Sequence, residues 1–144
     1  MAKKPLTSEQ IRALPLLEQA LREEEERHTA RLAELQAAAK ALAALELERA
    51  EIERNGFRLF GPSLSRGFNS NTLVYTGCIG EGDQVRLATA LLRSGWTVTD
   101  RDSGIYPSPT FRKGRIDLRL SCTRAGTLEK AEQAVAAGPA KEAA

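Results

Sequence analysis

The chain has 144 residues, 42% of them hydrophobic and 28% charged, with a formal net charge of +2. No stretch approaches the roughly 20 apolar residues that cross a bilayer, and Met1-Ala2-Lys3-Lys4-Pro5 leads into a polar segment rather than an apolar signal core. A spanning helix and an export signal are excluded on that reading, and a soluble, cytoplasmic chain is expected.

Charge is unevenly placed. Residues 1–54 carry nine Lys or Arg against eleven Asp or Glu, a balance of −2, whereas residues 55–124 carry ten against five, a balance of +5. A slightly acidic segment is therefore joined to a basic one. Two cysteines, Cys78 and Cys122, make no disulfide framework, and one histidine, His28, with scattered carboxylates, makes no metal shell. The expectation is a non-catalytic chain with no metal and no cofactor.

Thr7-Ser8-Glu9-Gln10 has the form of a capping box, in which Thr7 accepts from the N–H three residues on and Gln10 reaches back, so a short first helix is expected there. Pro15 lacks an N–H and disfavours helical geometry at Leu14, which predicts a kink with a second helix starting at Pro15. From Pro15 to Arg54 no further Pro or Gly occurs, and Asn55-Gly56 is a stop signal. These 40 residues make a rod of about 60 Å at about 1.5 Å per residue, longer than the small domain that follows can cover.

With Leu14 at heptad position a, the a sites are Leu14, Leu21, His28, Leu35, Leu42 and Arg49, and the d sites are Leu17, Glu24, Arg31, Ala38, Leu45 and Ile52. The polar failures cluster between Arg22 and Arg31, where pairs such as Glu23 with Arg27 and Arg22 with Glu26 would steady a solvated section. Self-association is expected through Leu21, Leu35, Leu42, Leu45 and Ile52.

Beyond the stop, a short strand is expected at Phe57 to Phe60, then a loop containing Leu64 and Phe68. Leu73 to Thr76 reads as a strand, Gly77 to Gly82 as a glycine-rich turn, and Asp83 to Ser94 as a helix with Asp83 as N-cap, Val85, Leu87, Ala88, Leu91 and Leu92 inward, and Gly95 at its end. Trp96 to Arg101 and Arg115 to Thr123 are further strands; the latter alternates Ile116, Leu118, Leu120 and Cys122 against Asp117, Arg119, Ser121 and Thr123, as in a sheet with one wet face. Gly126-Thr127 opens a last helix with Leu128, Ala131 and Val135 inward.

The expected fold is α+β. A long, coiled-coil-like, dimerising N-terminal helix covers 1–55, a small basic β-β-α-β-β-α domain with a mostly antiparallel sheet covers 56–138, and a disordered tail covers 139–144.

Thr76 to Gly82, between a strand and a helix, has glycines spaced G-x-x-G-x-G rather than the dinucleotide-binding G-x-G-x-x-G, and Glu81 and Asp83 put negative charge where phosphate would lie. It reads as a tight turn with a helix cap, and Cys78 within it as an inert thiol. The basic residues are the remaining lead. Arg101, Arg112, Lys113, Arg115 and Arg119 surround the connection between the last two strands, with Tyr106 and Phe111 among them. Such cations attract phosphate, and such aromatics stack on unpaired bases. Two function classes follow: a dimeric accessory protein that binds nucleic acid through this basic hairpin, or a small adaptor or inhibitor of phage or plasmid type that binds a host protein or nucleoprotein complex.

Overall fold

The computed structural model describes residues 4–138 apart from Ile79 and Cys122. The expected tail over 139–144 and the inward placing of Cys122 lie outside the described residues. The chain divides into two compact units, Met1–Gln36 and Ala37–Ala144.

In the first unit, helix α1 (Ser8–Arg12) starts at the capping box. Thr7 Oγ1 accepts from the Gln10 N–H at 3.2 Å, and Gln10 Oε1 accepts from the Thr7 N–H at 2.9 Å. After Pro15, α2 runs Leu16–Ala37 and has no buried residue. The Gln19 side-chain amide donates to the carbonyls of Arg12 and Leu14 at 3.2 and 2.7 Å, satisfying oxygens that the kink frees. The charged section carries the expected pairs, Arg22 with Glu26 at 3.4 Å and Arg27 with Glu23 at 3.2 Å.

A single helix from Pro15 to Arg54 is not observed. Ala38, with φ −90° and ψ −2°, separates α2 from a second helix, α3 (Ala39–Arg54). Neither Pro nor Gly accounts for the break. It falls where the chain enters the core of the second unit, in which Ala38, Ala41, Leu45 and Ile52 are buried, so packing overrides the strong helix propensity of the Ala-rich run.

The second unit builds a five-stranded mixed sheet from β1 (Leu64–Arg66), β2 (Thr72–Tyr75), β3 (Thr97–Asp100), β4 (Thr110–Lys113) and β5 (Ile116–Leu120), with α4 (Glu81–Arg93) and α5 (Thr127–Ala136). The strand order is β1-β2-β5-β4-β3. β2 and β5 pair in parallel, and the other three pairings are antiparallel.

Two strand expectations are corrected. Phe57 to Phe60 is irregular: Phe57 packs edge-on against Tyr75 at 5.9 Å, and the Phe60 N–H donates to the Tyr75 hydroxyl at 3.1 Å. These residues pack onto the sheet instead of pairing with it, and the first strand comes later, at Leu64. The long connection before the last strand contains β4, so the order is β-β-α-β-β-β-α. In addition, α4 starts at Glu81 with Gly80 as its N-cap, and Asp83 sits in the first turn, paired with Arg86.

β5 alternates as its sequence implies, with Ile116, Leu118 and Leu120 buried. Leu73 of β2 is level with Leu118, and Phe111 of β4 faces Leu118 from the other side. Against this row pack Leu87, Ala88 and Leu91 of α4, Leu128 and Ala131 of α5, and Leu45 and Ile52 of α3. Three helices thus cover one side of the sheet.

Glycine shapes two of the helix ends. Gly56 (φ +108°) and Gly95 (φ +88°) take the left-handed conformation, and the next N–H turns back, from Phe57 to the Ile52 carbonyl at 3.3 Å and from Trp96 to the Leu91 carbonyl at 3.0 Å. Asn55 then donates to Ser94 Oγ at 2.9 Å, joining the ends of α3 and α4.

Candidate functional site

Pleating sends alternate side chains of each strand to opposite faces. With the helices on one side, the residues level with one another on the other side are Ser65, Val74, Arg119 and Thr110, and beside them Asp117, Arg112 and Thr97. No helix of the second unit covers this face.

Two loops border it. The β1–β2 loop is pinned by Asn69, whose Oδ1 accepts from the Asn71 N–H at 3.0 Å and from Thr72 Oγ1 at 2.9 Å. A side chain at Gly67 would run into Thr72, so the loop turns tightly there. This turn brings Phe68 beside Arg119: the residue is 90% exposed, and the Arg119 guanidinium lies 5.7 Å from the ring centroid. Phe68, Arg119, Val74, Ser121, Ser108 and Arg66 line a groove of about 460 Å³.

Asp102 holds the second loop. Its φ of +50° is the one positive value at a non-glycine residue among those described, and short polar side chains tolerate it through local hydrogen bonds. Here the carboxylate accepts from the Ser108 N–H at 2.8 Å and the Gly104 N–H at 3.3 Å. Those bonds, Ser108 first, and the nearby Arg119 hold the carboxyl below the usual aspartate range. Between these anchors Ile105 and Tyr106 project, 84% and 69% exposed.

Arg119 approaches Asp102 only to 3.9 Å, beyond hydrogen-bond distance, so its donors stay open to a ligand. A cation on an aromatic face, in a groove with an apolar floor at Val74, can take a flat conjugated ring and an adjacent negative group.

The structure separates the residues that the sequence groups in the basic hairpin. Phe111 is 0% exposed and belongs to the core, so its expected contact with a partner is corrected. Lys113 lies on the helix side of β4, where Nζ donates to Glu48 at 2.6 Å and to the Ser94 carbonyl at 2.8 Å. Glu48 chiefly raises its pKa, and the ammonium caps α4 rather than facing outward. Arg101 is held by Glu132 at 2.6 Å and by Glu129 at 3.4 Å, both on α5. Arg112 donates two bonds to Asp117, at 2.7 and 3.0 Å. Arg115 occupies the tight Gly114-Arg115 turn between β4 and β5 and makes no ion pair with a described residue. Tyr106, Arg112 and Arg115 are exposed and Arg119 is half-buried on the uncovered face.

Of the residues expected at a dimer seam, Leu45 and Ile52 are buried in their own unit, Leu42 packs partly against that core, Leu35 is half-buried, and Leu21 is exposed. Sequence reasoning placed Phe68 only in a loop and gave Asp102, Asn69 and Asn71 no role. Gly67 next to an aromatic was the one local signal.

Elsewhere, burial and then Asp83 push the Cys78 thiol up to about 11, with Arg86 opposing, which is the reverse of an activated thiolate. Among the described residues no group of three His, Cys, Asp or Glu stands together to hold a metal ion, and no helix is long and apolar enough to cross a membrane. No protein-family model, curated protein or solved structure matches this chain.

Proposed function

We propose that this protein is a non-catalytic nucleic-acid-binding protein whose contact surface is the uncovered face of the sheet. The supporting observation is the Arg119 guanidinium over the exposed Phe68 ring, in a groove broad enough for a base. Stacking on an aromatic face accepts any base but requires that base to be unpaired, so the ligand is single-stranded. The balance of +5 over residues 55–124 supplies attraction to phosphate. Pairing of Arg101 and Lys113 with helix carboxylates favours the sheet face over the hairpin edge as the contact surface.

The test is fluorescence anisotropy of labelled oligo(dT) and of a duplex of equal length at two salt concentrations. Preference for the single strand, weakened by salt and by Phe68→Ala, supports the reading. Equal or absent binding overturns it.

A second reading has its own observation. The Ile105-Tyr106 tip, exposed and held by Asp102, suits insertion into a partner protein. That is the adaptor or inhibitor class, and co-purification with a host protein that persists after nuclease treatment and is lost in Tyr106→Ala would favour it. Self-association belongs to either reading: α2 exposes Leu16, Leu17, Leu21 and Leu32, and we assign that stripe to a second copy of the chain. Light scattering of the whole chain tests this, with a dimer expected and a monomer contradicting it.

A further inference from the structure

A second recess opens on the same face, about 320 Å³, lined by Asn69, Asn71, Arg112, Gly114, Arg115 and Asp117. It lies between the β1–β2 loop, whose other flank carries Phe68, and the β4–β5 turn. The two walls are joined by the backbone bond from the Asp117 N–H to the Asn71 carbonyl at 3.0 Å. Its chemistry differs from that of the Phe68 groove, because polar donors replace the aromatic ring.

Charge within the recess resolves residue by residue. The Asp117 carboxylate is matched by the two bonds from Arg112, so that pair adds no net charge. Arg115 makes no ion pair with a described residue and leaves one uncompensated positive charge at the rim. Asn69 uses its side-chain oxygen within the loop, so its amide N–H groups are the end left for a ligand. One guanidinium beside amide donors, with its only carboxylate neutralised, suits a singly charged oxyanion.

We propose that this recess holds one backbone phosphate of the same strand whose base stacks on Phe68, an inference that rests on the nucleic-acid reading of the open face. Arg115, in the turn before β5, precedes Arg119 of that strand by four residues, a span of at most about 13 Å at the extended rise of about 3.3 Å per residue. That is about four nucleotides at the 3.4 Å spacing of a stacked strand, and fewer when the strand is drawn out. The two sites therefore measure a short segment: the base is taken at Phe68 and the backbone at Arg115.

The experiment is anisotropy with labelled oligo(dT) of two to eight nucleotides across a salt series, using the full chain, Arg115→Ala and Arg115→Lys. Wild type is expected to gain affinity with length up to about four or five nucleotides. Arg115→Ala is expected to remove that gain and to lower the slope of log K against log salt by about 0.7, the share of one phosphate on a single strand. Arg115→Lys should retain the slope. An unchanged slope and length dependence in Arg115→Ala, with wild type still binding, would overturn the phosphate site and leave the Phe68 reading standing. No binding by wild type would overturn both.

Discussion

Arg119 is held between Phe68 and Asp102, its guanidinium 5.7 Å from the ring centroid of the first and 3.9 Å from the carboxylate of the second. The carboxylate is occupied by backbone N–H groups of its own loop and makes no hydrogen bond to the guanidinium. Aromatic and cation therefore stand side by side as one platform. Phe68→Ala is expected to weaken oligo(dT) binding by about 1 to 3 kcal/mol, or roughly 5- to 140-fold. Phe68→Tyr, which keeps the stacking face, should stay close to wild type; titration of the three proteins against one labelled oligonucleotide checks this.

Lys113 gives the opposite expectation. Its ammonium joins Glu48 of α3 to the Ser94 carbonyl at the C-terminal end of α4, on the helix side of the sheet. Lys113→Ala should lower stability by about 1 kcal/mol, the worth of a cation at a helix C-terminus with its hydrogen bonds, and leave oligonucleotide affinity unchanged. Urea denaturation read by tryptophan fluorescence, with binding measured on the same preparation, separates the two effects.

Phe111 is a core residue at the centre of β4. Truncation to Ala should cost about 3 to 5 kcal/mol, a large part of the stability of a unit this size. A binding loss in that variant would come with unfolding, and circular dichroism recorded alongside should show it.

The pH dependence centres on Asp102. Its folded pKa is depressed, by the Ser108 N–H first, then by the Gly104 N–H and Arg119. Its contribution is therefore complete above the unfolded value of about 3.9 and is lost as pH falls through the lower, folded value. Protection of the Ser108 amide, its exchange rate relative to that of an unstructured amide at the same pH, should stay high at about pH 5 and fall only below about pH 3.9. Asp102→Ala should show low protection across the range, and a Ser108 amide equally protected in that variant would contradict the role given to the carboxylate.

Local patterns carried much of the fold. The capping box at Thr7, the stops at Gly56 and Gly95, and the alternation of Ile116, Leu118 and Leu120 all depend on residues within a few positions of one another, and each was readable. What escaped was decided at a distance. α3 looked like the continuation of a self-associating rod, but Leu45 and Ile52 are buried in the core of the second unit. β4 was hidden in a connection whose prolines, Pro107 and Pro109, argue against a strand just before it starts. The cations fared likewise: Glu48 is 65 positions from Lys113 and Glu132 is 31 from Arg101, so their neutralisation is invisible to any window of sequence. Phe68 was missed for the same reason, since its partner Arg119 lies on the last strand.

The most direct measurement is a two-dimensional 15N–1H spectrum of the labelled protein titrated with single-stranded oligo(dT). The amides of Gly67, Phe68, Val74, Arg119 and Ser121 are expected to shift together and saturably, while those of α4 and α5 hold still. Shifts confined to the helices or to the Ile105-Tyr106 tip, or none at saturating oligonucleotide, would contradict the sheet face as the binding surface.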